Sequence, residues 1–378
     1  MMVPADKAMP IENGAVPSAP HGSIRPDFHR QRTLEAWLAR RTGAKVVFVE
    51  SLEHPANSGL SNEILLFQAR LGAGKASEFR EFALRLQPLP EHQLFMEPDL
   101  QRQHELLRRL HRVPGVKVPD SYWYEDDPQV LGRPFLVMQR LRGRAPVTLS
   151  ADGNDWLSKA STPDRAQLWY AAVEQLAHIH HVPAAVTALL ERPGDGKTGI
   201  EQDLAHWRRA AKWSAPEGIP QVLIEIEEWL HHNCPLQPES TLSWGDSRIG
   251  NMMFDDDFQV VGVLDWEMAS LAGPIADLAW WLYIQDHQLR IGHKRLEGIG
   301  DRQATIDLWE TLSGLSVRDL HWYEVFAGYR LCILGLRHMH TSNWGDATTG
   351  SRMRNSFFAH TCELLEIEVP AEFLKATP

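Results

Sequence analysis

Apolar positions recur along this chain in two rhythms. Leu34, Trp37 and Leu38 stand three and four apart, the spacing of one helix face, and predict a short amphipathic helix. KVVFVE at 45–50, EILLFQAR at 63–70 and FREFALRL at 79–86 follow as β-forming runs with short turns between them, the pattern of an antiparallel meander. Leu100, Leu106, Leu107 and Leu110 return to helical spacing over 98–111. Two further strands read at 118–125 and 134–141, split by the turn EDDPQVLGRP. From Asp164 the rhythm is helical over 164–182, 199–213, 218–233, 274–290, 303–313, 317–340 and 351–366. One β-rich island, 241–266, interrupts it. The expected architecture is α+β and bilobal. A small antiparallel-sheet N-lobe spans 28–142, and a larger, mainly helical C-lobe spans 143–378, entered through the loop-like stretch RGRAPVTLSADGNDW. Residues 1–27 carry no periodic apolar pattern and read as a flexible leader.

Composition narrows the class. With 43% hydrophobic and 23% charged residues over 378 positions, the chain has the profile of a folded globular protein large enough to need no disulfide or metal staple. Its net charge of −11 disfavours non-specific nucleic-acid binding, which needs basic surface to neutralise phosphates. The three cysteines, Cys234, Cys332 and Cys362, form neither a CxxC pair nor a zinc spacing, so a reduced, cytoplasmic setting is expected. No apolar run approaches the roughly 18 residues of a membrane span. The N-terminus lacks the apolar core of a signal peptide.

The chemistry concentrates in LSWGDSRIGNMMFDDDFQVVGVLDWEMASLAGPIADLAWWL, residues 242–282. Asp246 and Asn251 are separated by four residues in a segment that holds Gly245 and Gly250. Asp255, Asp256 and Asp257 make a natural hairpin turn rather than a metal site. The returning strand, FQVVGVL, delivers Asp265 at its end. Such a hairpin brings Asp246, Asn251 and Asp265 to one edge. Oxygen-only ligands suit a hard cation such as Mg²⁺, which keeps waters and binds substrate phosphates. Two carboxylates and an amide divide the labour of phosphoryl transfer: one carboxylate orients the attacking hydroxyl and accepts its proton, and the other two groups hold the metal. Arg248, two residues after Asp246, either screens charge on the phosphoryl group or pairs with a carboxylate.

These residues resemble the catalytic core of the aminoglycoside phosphotransferase and choline kinase-like superfamily, relatives of the protein kinases. The family carries His-Gly-Asp, four residues, Asn, then a strand ending in Ile/Leu-Asp-Trp/Phe-Glu. Here those are Trp244-Gly245-Asp246, Asn251 and Leu264-Asp265-Trp266-Glu267, followed by Gly273-Pro274 and Asp277-Leu278-Ala279. The resemblance extends over roughly 33–345 and implies a protein kinase-like fold. It further implies an ATP- and Mg-dependent transfer of the γ-phosphoryl group to a small-molecule hydroxyl, with GTP as a possible second donor and Asp246 as base. Asn251 and Asp265 would hold the metal. Ser58, Gly59 and Ser61 would lie in the phosphate-covering turn, Arg85 would reach the phosphates, and Gln139 and Leu141 would offer backbone groups to the base of the nucleotide. His180 matches the end of the helix before the catalytic segment. The acceptor pocket is expected between that segment and the 200–235 and 317–345 helices, in a monomer or homodimer.

Three departures from the family pattern stand out. Trp244 replaces the His before Gly-Asp, so packing is expected in place of a hydrogen bond. Arg85 replaces Lys. Gln103 falls where a Glu would pair with it, and Glu105 lies on another face of that helix. These departures motivate the alternative of a catalytically weak or inactive nucleotide-binding protein of the same fold. A protein kinase is disfavoured by the lack of an Ala-Pro-Glu-type segment after Asp265. Other motifs read as ordinary structure. GAGKAS at 72–77 lacks the Gly and Ser/Thr of a phosphate loop and reads as a hairpin tip, and His178, His180 and His181 read as a helix end. Trp207, Trp213, Trp280, Trp281, Trp322 and Trp344 read as core, with one or two of them as walls of an acceptor pocket.

Overall fold

The computed structural model describes residues 28–374 except 45–46, 55–62, 73–77, 147–148, 150–152, 154, 237–239 and 342–346. Ser58, Gly59, Ser61, the leader and most of the GAGKAS segment therefore lie outside the described residues.

The N-lobe begins with α1 (Phe28–Thr42), followed by β1 (Val47–Glu53), β2 (Glu63–Leu71) and β3 (Glu78–Leu86). Then come α2 (Leu100–Leu110), β4 (Ser121–Glu125), a single turn α3 (Pro128–Leu131) and β5 (Phe135–Gln139). The five strands form one antiparallel sheet in the order β1-β2-β3-β5-β4. Side chains alternate across a strand. Leu65, Phe67 and Ala69 of β2 thus share one face and pack with Leu34, Trp37 and Leu38 of α1. On β3, Phe82, Leu84 and Leu86 join that cluster. Its other face is covered too, because all five residues 82–86 are buried. Arg85 lies on that second face and is only 6% exposed.

The C-lobe contains α4 (Thr162–His180), α5 (Ala184–Thr187), α6 (Gly199–Ser214), α7 (Gln221–His232), the hairpin β6 (Met252–Phe254) and β7 (Val260–Val263), and then α8 (Pro274–Arg290), α9 (Arg302–Ser313), α10 (Leu320–His338), α11 (Ala347–Leu364) and α12 (Ala371–Leu374). Ser161 with Asp164, and Thr198 with Glu201, form reciprocal caps that start α4 and α6. Residues 274–283 of α8 are buried without interruption, which marks a helix enclosed on all sides. It packs against α10 and α11. Trp207, Trp244, Trp266, Trp280, Trp281, Trp309 and Trp322 are all core residues.

The hairpin is held from both flanks. Arg144 and Phe254 exchange backbone hydrogen bonds of 2.9 Å, and the Val263 N–H reaches Lys117 O at 2.8 Å. Leu141 packs over Gly262, where an added Cβ would stand 2.1 Å from Leu141 Cδ1. At the turn, Asp255 accepts from the N–H groups of Asp257 and Gln259, as expected of a solvated hairpin. Among the described residues, no helix is long and apolar enough to cross a membrane.

Candidate active site

Asp277, in the first turn of α8, is completely buried and organises the loop that carries Asp246. Its Oδ1 accepts from the Ser243 hydroxyl at 2.7 Å and the Gly245 N–H at 2.8 Å. Its Oδ2 accepts from the Trp244 N–H at 2.7 Å and His180 Nε2 at 3.1 Å. The indole N–H of Trp309 meets His180 Nδ1 at 2.9 Å. An indole only donates, so Nδ1 is the acceptor and the imidazole proton sits on Nε2, facing Asp277. His180 is thus a structural link rather than a metal ligand. Gly245 turns the loop with φ +100, and a Cβ there would fall 2.4 Å from Met268 O, so the position admits only glycine.

The loop presents Asp246, whose carboxylate meets three donors. Trp280 Nε1 reaches Oδ1 at 2.8 Å, Asn251 Nδ2 reaches Oδ2 at 2.7 Å, and Arg248 Nε lies 3.2 Å from Oδ1 and 3.3 Å from Oδ2. Asn251 Nδ2 also donates to Asp246 O at 3.0 Å. Two acceptors on one side fix the amide and leave Asn251 Oδ1 for another partner. Arg248 also feels the charge of the second acid, Asp265, through space. Desolvation works against its charge, yet the carboxylates of Asp246 and Asp265 hold its pKa above the ordinary arginine value.

Leu264 sets the spacing of the three groups. Its N–H donates to Asn251 O at 2.9 Å, and its carbonyl accepts the Trp244 indole N–H at 2.8 Å. Trp244 therefore packs beside Trp266 and also hydrogen-bonds, which corrects the expectation of packing alone. Asp265 follows in a left-handed conformation, φ 54 and ψ 63, where a non-glycine residue is strained. That conformation ends the strand and turns the chain into the 266–268 helical turn.

Arg85 closes the arrangement from the N-lobe. Its Nη2 pairs with Glu267, and its Nη1 lies 3.8 Å from Asp265 Oδ1. Its partner is therefore Glu267, from the C-lobe, and neither Gln103 nor Glu105. Glu105 pairs with Arg109 at 2.8 Å on the outer side of α2. The expectation for Gln139 narrows, because its backbone N–H is already donated to Asp120 O at 2.8 Å.

Among the described residues no group of three or more His, Cys, Asp and Glu could hold a metal by itself. One amide oxygen and one carboxylate fit a Mg²⁺ ion that takes its remaining ligands from phosphates and water. A pocket opens beside Arg248 and Ile249, walled by Trp281, Ile284 and Ile299 and edged by His293, Lys294 and Arg295. It lies at the C-terminal half of α8, away from the 200–235 and 317–345 helices.

Residues 55–315 match the sequence model of the phosphotransferase enzyme family. The chain belongs to that family. Its fold is that of a solved Ralstonia eutropha protein assigned to the aminoglycoside phosphotransferases, which is 22% identical with a TM-score of 0.62 over 91% of this chain and 100% of that one. The GDP complex of an aminoglycoside 2′-phosphotransferase-IIIa variant aligns with a TM-score of 0.52 at 14% identity, over 87% of this chain and 97% of that one. A curated relative, acyl-CoA dehydrogenase family member 11 of Homo sapiens, is 29% identical over 236 residues, or 60% of this chain. The match spans only 29% of that relative's own length.

The sequence reading named Trp280 and Glu267 but gave neither its contact here. Trp280 donates to Asp246, and Glu267 pairs with Arg85. Trp280 lies in a stretch of α8 that is buried on every side. Glu267 was visible as an acidic residue directly after Asp265-Trp266 in a chain that lacks the usual Glu on α2.

Proposed function

We propose that this phosphotransferase moves the γ-phosphoryl group of ATP to a hydroxyl of a small molecule, with Asp246 accepting the hydroxyl proton. The observation that carries the reading is the assembly of Asp246, Asn251 and Asp265 around the backbone of Leu264. Three N–H donors hold the Asp246 carboxylate in one orientation, so an incoming hydroxyl meets an acceptor that need not reorganise. The hydroxyl oxygen bonds to phosphorus, its proton passes to Asp246, and the bond from phosphorus to the ADP oxygen breaks. A Mg²⁺ ion held by Asn251 Oδ1 and Asp265 would neutralise charge on the phosphate oxygens. Arg85, with its planar fork, would face the same phosphates from the sheet. The 58–61 turn would cover the phosphates, and Leu141 with the Gln139 carbonyl would meet the nucleotide base. GTP is the second donor to try.

The pocket beside Arg248 points to the acceptor class. Its apolar walls and its edge of Arg248, His293 and Arg295 suit a partly apolar anion and disfavour a polycationic aminoglycoside. The curated relatives are named for acyl-CoA dehydrogenases, so hydroxyacyl-CoA thioesters are the first acceptors to test. A second reading, a silent nucleotide-binding protein, draws on the neutralisation of Arg85 by Glu267.

The deciding assay follows ADP release from Mg-ATP with 3-hydroxybutyryl-CoA and a panel of hydroxy acids, for wild type and Asp246→Ala. The expected result is acceptor-dependent turnover that falls on the order of 100-fold or more in the variant. Equal turnover by both proteins removes Asp246 as the base. ATP binding without turnover on any acceptor favours the silent reading.

A further inference from the structure

Arg330, in the middle of α10, is completely buried, and none of its three guanidinium nitrogens has a hydrogen-bond partner among the described residues. Its guanidinium lies 4.7 Å from the centroid of Trp280 and 4.6 Å from that of Phe326. Burial pulls its pKa below the ordinary arginine value, while Asp203, Asp277 and Asp246 pull the other way through space. A buried cation without hydrogen bonds to its neighbours is among the costliest groups a core can hold, and an aliphatic side chain of similar length would pack there without that penalty. The feature that sets the position apart is what the edge of that indole holds. Trp280 donates its N–H to Asp246 Oδ1 at 2.8 Å.

We propose that Arg330 is a positioning residue for the phosphoryl transfer: stacked on Trp280, it holds the indole so that its N–H fixes the Asp246 carboxylate for the acceptor hydroxyl. The attraction of a desolvated cation for an indole face is large enough to choose one ring orientation. The cation also draws density from the ring and makes the N–H a stronger donor. The inference rests on Asp246 acting as base. A purely structural Arg330 would instead serve as the counter-charge for the buried acids Asp203 and Asp277.

The test is a double-mutant cycle on Arg330→Met and Trp280→Phe, with Arg330→Lys and Asp246→Ala alongside. Mg-ATP turnover is read with 3-hydroxybutyryl-CoA as acceptor, and with water in its absence. Arg330→Met is expected to lower kcat at least about tenfold with the KM for ATP within about twofold of wild type. Trp280→Phe is expected to do the same, and the double variant to be no slower than the worse single one. Arg330→Lys, which keeps the charge, is expected to recover part of the loss. A wild-type kcat in Arg330→Met overturns the proposal, as do losses that multiply in the double variant. Should Arg330→Met not fold, the neutral Arg330→Gln takes its place in the cycle under the same criteria. Full activity in Asp246→Ala removes the base reading itself, whereas loss there with a wild-type Arg330→Met removes only the role of Arg330.

Discussion

Replacing Asp277 with Asn tests the loop architecture directly, because the change keeps the shape and alters only charge and hydrogen bonding. The carboxylate serves four donors, two on each oxygen. An amide offers one oxygen and one NH₂, so one pair of donors must face an NH₂. His180 cannot reverse its bond, since Trp309 occupies Nδ1 and keeps the proton on Nε2. The Trp244 N–H cannot reverse either. The NH₂ therefore turns toward Ser243 and Gly245. The Ser243 hydroxyl can rotate and accept, but the Gly245 N–H is left unpartnered in a buried site. One orphaned N–H costs about 1–3 kcal/mol. The remaining bonds lose their charge assistance, which is roughly half their strength. Together these give about 3–5 kcal/mol, a large share of the 5–15 kcal/mol typical of a folded protein. Tryptophan fluorescence in a urea titration reads the C-lobe, since only Trp37 and Trp123 of the fourteen tryptophans precede residue 150. A shift of the transition worth less than about 1 kcal/mol refutes the four-donor argument. So does a variant that retains wild-type phosphotransfer, because the loop it releases carries Asp246, the proposed base.

Glu267→Gln leaves the Arg85 guanidinium charged in a site 6% exposed, with Asp265 at 3.8 Å as its remaining acid. Removing one partner of a buried pair costs about 3–5 kcal/mol, and the second acid reduces this to roughly 2–3 kcal/mol. An unchanged unfolding midpoint in the nucleotide-free protein contradicts the pairing. Acid sensitivity should trace to the stacked imidazoles His287 and His360 between α8 and α11. Burial above all, together with nearby Arg290, pushes them down to about 4 and about 3 respectively. The unfolded state then binds more protons below pH 6.5, so stability is complete above that pH and is lost as pH falls from about 6.5 toward 4. Each residue contributes up to about 1.4 kcal/mol per pH unit in that window. Melting curves of wild type and His287→Gln between pH 7.5 and 5 check this, and parallel curves for the two proteins count against it.

The elements were legible because their periods are simple, and so was the face of Arg85, which alternates with Phe82, Leu84 and Leu86 along β3. The partner of Arg85 was not legible. It lies 182 positions away in the chain, and only the closure of the two lobes brings it near. Trp280 shows a different limit. Periodicity identifies a functional face only where one face is exposed, and residues 274–283 are buried on every side. Gln139 shows a third. The run PFLVMQRL reads as a strand, but whether its last N–H is free depends on how the chain at Asp120 returns beside it.

The replacement of His by Trp at 244 bears on whether the site is a working one. A mere loss of the His would leave the loop with one support fewer. Trp244 instead keeps its backbone N–H on Asp277 and adds a bond from its ring to Leu264 O, the residue before Asp265. Leu264 N–H in turn holds Asn251 O. The loop of Asp246, the Asn251 amide and the Asp265 carboxylate are thereby joined through a single peptide unit on each side of Leu264. A decaying site has no reason to gain a linkage that fixes the distance between Asp246 and Asp265. The tryptophan therefore argues for a preserved phosphotransfer geometry, reached by a different set of hydrogen bonds.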